Sequence, residues 1–159
     1  MDKSRRVAAA IVKKRETHPF ATTADLVGLC DEVLGKSKPG KLPAPTLVFQ
    51  ALRIAVNDEL GELERALPAA EKLLKKGGRI VVISFHSLED RIVKNFFKQK
   101  AGKSEGVSRY LPEAATAAPA ELAFCSKAVP PTAAEVEANP RAHSAKLRYA
   151  IKSDKETGQ

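Results

Sequence analysis

Tryptophan is absent from this 159-residue chain, and other aromatics are few, with six Phe and two Tyr. Any core must therefore be built mainly from Leu, Val, Ile and Ala. The two cysteines, Cys30 and Cys125, stand far apart and outside any CxxC spacing. This argues against a disulfide scaffold, and with His18, His86 and His143 equally scattered, no metal site can be read from ligand spacing. No apolar run approaches membrane-spanning length. The basic start, Met1 to Arg6, leads into an amphipathic stretch holding Lys13 and Lys14, where a signal peptide would carry an apolar core. The reading is a cytoplasmic protein without a membrane partner.

What is present is globular in composition, 43% hydrophobic and 29% charged, at a length that suits one ordinary domain. Lys and Arg number 27 against 19 acids, a formal charge of +8. Such an excess favours polyanionic partners through counterion release. Basic proteins without a nucleic-acid role are also common, so charge alone leaves both readings open.

The spacing of Val7, Ile11 and Val12 predicts a helix over about Ser4–Glu16, ended by His18-Pro19. Thr22 to Asp25 has the form of a capping box opening a helix with Leu26, Leu29, Val33 and Leu34 on its apolar face, stopped by Gly35. Lys36 to Pro45 reads as a basic Pro/Gly linker. Phe49, Leu52, Val56, Leu60, Leu63 and Leu67 recur at steps of three and four and predict one long helix, with a kink or fresh first turn at Pro68. Arg79 to Ser84 holds four consecutive β-branched residues, which suits a strand buried on both faces, hence a central parallel strand. A helix carrying Ile92, Val93, Phe96 and Phe97 inward follows it. Ala101 to Ala120 reads as a long loop. Short strands are expected at Glu121–Lys127 and Ser144–Lys152, with a capped helix at Thr132–Ala138 between them. In the last strand Ala145, Leu147, Tyr149 and Ile151 are read as the inner face, and Lys146, Arg148 and Lys152 as the wet one.

Chemistry-bearing residues concentrate beyond Ile83, where open α/β sheets gather their functional groups. Ser84, His86, Ser87, Glu89, Asp90 and Arg91 fall there, at a helix start whose N–H groups and dipole favour anions. Ser87 and Asp90 read equally as a cap and its dipole complement. No nucleophile, base and orienter can be assigned from one cluster, so the catalytic residues are unknown at this stage. Ser84 with His86 as a hydrolase pair is weak, because no GxSxG elbow is present. Arg53 and Asn57 share a helix face one turn apart, either toward substrate or as support for the neighbouring loop. Arg5, Arg6, Lys13, Lys14, Arg15 and Arg141 are candidates for gripping RNA backbone, with a solvated basic face as the alternative. Phe124 and Tyr149 read as sheet packing rather than as base-stacking platforms.

The run Ile83-Ser84-Phe85-His86-Ser87-Leu88-Glu89-Asp90-Arg91-Ile92-Val93-Lys94 closely resembles the signature of the RsmH (MraW) family of S-adenosylmethionine-dependent small-subunit rRNA (cytosine-N4)-methyltransferases. Arg5 to Val12, Phe49 to Leu60 and Asn139 to Arg148 match the same family in family order. The resemblance implies the C-terminal half of a Rossmann-like α/β methyltransferase domain, with a parallel strand and a late antiparallel pair. Residues 1–40 would be part of a helical insertion that recognises substrate, 41–155 the Rossmann-like half, and 156–159 a tail. It implies methylation of a cytidine in the decoding region of 16S rRNA, with S-adenosylmethionine as cofactor and the small-subunit rRNA or ribosomal subunit as partner.

The departures are as informative. The family's donor-binding half, with its Gly-rich turn and ribose-binding acid, has no counterpart, and no GxG element precedes a strand, so no cofactor-binding residue is assigned here. Leu47 and His143 stand where the family usually has arginine, which removes phosphate-facing charge. Cytosine N4 is a poor nucleophile, so the reaction needs an acceptor for its N–H, tight alignment and an unstacked base. The resemblance puts the acceptors in the missing half and leaves Ser84 to Arg91 as one cleft wall. In that reading Ser84 and His86 approach substrate, while Arg91 meets phosphate or an acid. A non-catalytic RNA- or partner-binding remnant is the alternative. A strand such as Ile80–Ile83 needs neighbours on both sides, so the chain alone is expected to be poorly soluble, to form a homodimer through its open sheet edge, or to need the missing N-terminal half in trans.

Overall fold

The chain is described by a computed structural model over residues 3–36, 42–102 and 120–154. The expected tail, most of the long loop and the centre of the Pro/Gly linker lie outside those residues. Two compact units result, Met1–Glu59 and Leu60–Gln159. No described helix is long and apolar enough to cross a membrane.

In the first unit, α1 (Lys3–Thr17) and α2 (Thr23–Leu34) form where periodicity and caps place them. The Thr22 hydroxyl accepts from Asp25 N, and the Asp25 carboxylate accepts from Thr22 N, completing the expected capping box. Gly35 ends α2 at φ 76°. Val7, Leu26 and Cys30 are buried together, and Val48 and Phe49 of α3 (Ala44–Asn57) pack on them. That packing carries α3 into the helical unit, so the division after Glu59 does not coincide with the one drawn at residue 40 from the sequence.

The long helix expected from Thr46 is two helices. The break falls at Asp58, which adopts the left-handed conformation (φ 50°, ψ 37°), whereas Pro68 is tolerated within α4 (Glu59–Leu73). Aspartate enters this region more readily than most residues. The apolar steps continue across the break, so periodicity alone does not reveal it.

The second unit holds a three-stranded sheet of order β1-β3-β2, formed by β1 (Arg79–Ser84), β2 (Leu122–Cys125) and β3 (Lys146–Lys152). Both ladders are antiparallel. The late antiparallel pair is therefore present, and among the described residues the one strand beside β1 is the antiparallel β3. There it lies at the edge, and its burial alternates: Ile80 and Ser84 are buried, while Val81 and Ile83 are exposed. A run of β-branched residues suits either environment, and here only one face is covered.

That cover is α5 (Ser87–Lys100) with the end of α4. Leu67, Ile80, Val93, Phe97, Leu122 and Ala150 form the core, with Ile92 and Phe96 at its margin. The register pairs Ile80 with Ala150, Val82 with Arg148 and Ser84 with Lys146, so β3 presents Arg148, Ala150 and Lys152 to the helices. This reverses the face predicted for β3. The cations are tolerated inside because acids arrive from the helices: Asp90 meets Arg148, and buried Glu71 meets Lys152 and, at 3.8 Å, Lys100. Lys100 also holds Glu121 at 2.7 Å.

The turn between α4 and β1 requires its glycines. Gly77 has φ 69°, and a Cβ on Gly78 would lie 2.7 Å from the Lys75 carbonyl oxygen. The short α6 (Ala133–Ala138) is capped by Thr132 as expected, and a 3-10 turn at Pro140–Ser144 precedes β3.

Candidate functional site

The exit of β1 into α5 is built from side chains that bond to nearby backbone. His86 is the N-cap residue: its Nδ1 accepts from Glu89 N at 3.3 Å, and the Glu89 carboxylate accepts from Phe85 N at 2.9 Å and His86 N at 3.2 Å. The capping box is thus His86/Glu89, one residue earlier than a cap at Ser87, and Ser87 becomes the exposed first residue of the helix. The N–H groups of Glu89 and Asp90 are taken by His86 Nδ1 and the His86 carbonyl, which narrows the free anion-binding character expected of this helix start.

His86 Nε2 is buried and lies 3.4 Å from Glu89 Oε1 without hydrogen-bond geometry. Ser84 is buried, and its hydroxyl donates to the Lys146 carbonyl at 3.4 Å. The two side chains therefore bond to different partners and make no nucleophile–base pair, in keeping with the weak case for a hydrolase.

Asp90 is committed elsewhere. Its carboxylate accepts from Arg148 Nε at 2.7 Å and Nη2 at 3.2 Å, with Lys146 Nζ at 3.6 Å. The Arg148 hydrogen bonds, followed by the charges of Arg148 and Lys146, hold this carboxyl below the usual aspartate range against an opposing effect of burial. Asp90 is thus an anionic anchor between α5 and β3 and is poorly suited to proton transfer. Arg91 is exposed in the same helical turn. Alternation alone assigns Arg148 to the wet face; its place opposite Val82 in the sheet is what brings it to Asp90.

The helical unit holds the remaining candidates. Arg53 forms a two-pronged ion pair with Glu59 at 2.8 and 3.1 Å, and Asn57 Nδ2 donates to Glu59 at 3.2 Å. Both residues thus brace the turn at Asp58. Of the basic set, Arg6 donates to the Val33 carbonyl at 2.8 Å, satisfying the end of α2, and Lys14 Nζ sits 5.9 Å from the Phe20 ring centre. Arg5, Lys13 and Arg15 are exposed on α1, and Arg141 is exposed in the other unit. Phe124 and Tyr149 stack against each other at 5.5 Å, as sheet packing requires.

Comparison with known proteins adds what geometry alone does not. A family profile described as "MraW methylase family" matches residues 1–153. "Ribosomal RNA small subunit methyltransferase H" of Rhodospirillum rubrum is 57% identical over 151 residues, 92% of this chain and 46% of the relative. The protein of the same name from Caulobacter vibrioides (strain NA1000 / CB15N) is 53% identical over 152 residues, 95% of this chain and 49% of the relative. That from Rhizobium etli is 55% identical over 149 residues, 94% and 43% respectively. The chain spans about half the length of the curated relatives it matches.

Proposed function

Because this chain belongs to the MraW methylase family, we propose that it supplies the substrate-side part of a methyltransferase acting on N4 of a cytidine in the decoding region of 16S rRNA. The observation that carries this reading is the match over residues 1–153, with Ser84 to Arg91 gathered where β1 enters α5. Ser84 and His86 shape the wall against which the base is held, and Arg91 meets phosphate. Arg5, Lys13, Arg15 and Arg141 contact RNA backbone, in the cytoplasm where ribosomal subunits mature. The helical unit belongs to a substrate-recognition insertion, and α4 with the sheet to a Rossmann-like domain.

S-adenosylmethionine is the usual methyl donor of such enzymes, but the described residues do not fit a donor site. No described glycine follows a strand, and the N–H groups of Phe85 and His86 at the end of β1 are held by Glu89. The donor is therefore bound chiefly by polypeptide outside this chain. Calorimetric titration of the 159-residue chain with S-adenosylmethionine is expected to show no stoichiometric binding; one-to-one binding would overturn that assignment. For the site itself, the residues equivalent to Ser84 and His86 are replaced together in the C. vibrioides relative. Undiminished methylation of its small subunits would remove both from the substrate wall.

A second reading, a non-catalytic binding remnant, is favoured by the committed state of Asp90 and the burial of Ser84. Failure of the chain to support methyl transfer when mixed with the complementary part of a relative, while still binding rRNA, would select it.

A further inference from the structure

We propose that Lys146 is a positioning residue for the reaction proposed above, its ammonium taking one RNA backbone phosphate beside the exit of β1. The inference rests on that reading and deepens it, because strand alternation leaves Lys146 on a solvated face and only the sheet brings it to the site. The register does so. The antiparallel ladder of β1 and β3 ends with Ser84 opposite Lys146. The first residue of β3 therefore stands level with the last of β1, at the carboxyl end where open α/β sheets gather functional groups. The Ser84 hydroxyl fastens the two strand ends by donating to the Lys146 carbonyl at 3.4 Å, across 62 residues of sequence.

Charge leaves the lysine available. The Glu89 carboxylate is occupied by the N–H groups of Phe85 and His86, and Asp90 by two hydrogen bonds from Arg148. Lys146 Nζ approaches Asp90 at 3.6 Å, farther than either Arg148 nitrogen. One carboxylate thus faces two cations, and one positive charge is left over. That charge lies outward, because the Lys146 side chain is 45% exposed and the Arg148 side chain 12%. Neutralising Asp90 does not account for Lys146, since Arg148 already does so. An ammonium is a compact charge with three donors on a flexible stem, which suits a phosphate oxygen. Further cations flank the same end. Arg141 is exposed in the 3-10 turn leading into β3, a turn pinned by buried Ala142 and by the Asn139 side chain, which accepts from Arg141 N. Arg91 is exposed near the start of α5. An RNA strand crossing this end therefore meets a cation from each of the two segments, β3 and α5, that border the exit of β1.

The test titrates the full chain into a short, fluorescently labelled single-stranded RNA containing cytidine and follows anisotropy across a range of salt concentrations. Three variants are compared with the native chain: Lys146→Gln, Lys146→Arg, and Lys75→Gln, which makes the same charge change at an exposed position near the opposite end of β1. The expected result for Lys146→Gln is binding weakened about fivefold, with a salt slope shallower by about 0.7, the share of one phosphate contact on a single strand. Lys146→Arg should keep the slope, and Lys75→Gln should leave both quantities near the native values. Thermal unfolding serves as the folding control, and its midpoint should not move, because Arg148 retains Asp90. A slope that Lys146→Gln leaves unchanged, or a loss that Lys75→Gln reproduces, would overturn the role of Lys146 while RNA binding stands. A lowered midpoint shared by Lys146→Gln and Lys146→Arg, with the native slope kept, would make it a structural residue instead. A native chain that binds no RNA would overturn the proposed function, and Lys146 with it.

Discussion

The Asp90–Arg148 pair offers the sharpest test of how the sheet is held to α5. The two side chains are 13% and 12% exposed and meet through two hydrogen bonds of 2.7 and 3.2 Å. Asp90→Ala leaves Arg148 without its two-pronged counter-charge in a part-buried site, with Lys146 close by. Breaking a fully buried pair from one side costs about 3–5 kcal/mol, which is the upper bound for this part-buried one and a large part of the roughly 5–15 kcal/mol that stabilises an ordinary domain. Arg148→Ala costs less, because Lys146 Nζ, 3.6 Å from the carboxylate, still partly neutralises Asp90. The double variant is expected to be less unstable than the sum of the two, with a coupling of about 1–3 kcal/mol. Urea unfolding followed by far-ultraviolet circular dichroism measures each, with an unchanged slope marking a change in stability alone. The pH dependence supplies a second readout. The folded carboxyl titrates below its unfolded value, so the unfolded state binds the proton first. Stability from this group is complete above the ordinary aspartate range and is lost as pH falls through the depressed folded value. Asp90→Ala should flatten that acidic limb. Single variants that each cost under about 1 kcal/mol, or a cycle without coupling, would refute the claim that this pair fastens the helix to the sheet.

Glu71→Ala strands Lys152 and weakens the hold on Lys100, and is expected to cost about 3–5 kcal/mol in the same urea assay; a neutral result would show that the buried cluster is already hydrated. Gly78→Ala places a methyl against the Lys75 carbonyl and is expected to destabilise by about 1–3 kcal/mol, whereas alanine at exposed Gly28, which has open space, should be neutral or better. Cys30 is fully buried, and its thiol is pushed above the ordinary range by that burial and then by Asp31; alkylation should therefore proceed only through opening of the helical unit, and rapid labelling of the native chain would contradict the packing of α1 on α2.

Much of the local structure was legible because its causes are local. Thr22 and Asp25 cap α2, Thr132 caps α6, and the period of Val93 and Phe97 marks the buried side of α5 as expected. The same principle located the candidate site: a β-branched run followed by His86, Glu89 and Asp90 has to place those residues where a strand enters a helix. The roles within it were less legible. Whether Ser87 or His86 caps α5 depends on one turn of backbone, and both residues present a suitable acceptor.

The sequence by itself determined the family, through four long runs in order, and the positions of most helices and strands, since periodicity, caps and glycines act within a few residues. Only the tertiary structure decided which way the sheet faces. The alternation of β3 is equally consistent with either side inside; the choice falls to Asp90 and Glu71, which are distant in sequence and make the interior hospitable to Arg148 and Lys152. It also decided that the long apolar stripe is broken at Asp58, where the Arg53–Glu59 clasp braces a left-handed residue that periodicity cannot detect. In both places a charge pair made across a fold or a turn overrides a pattern that the apolar residues alone leave undetermined.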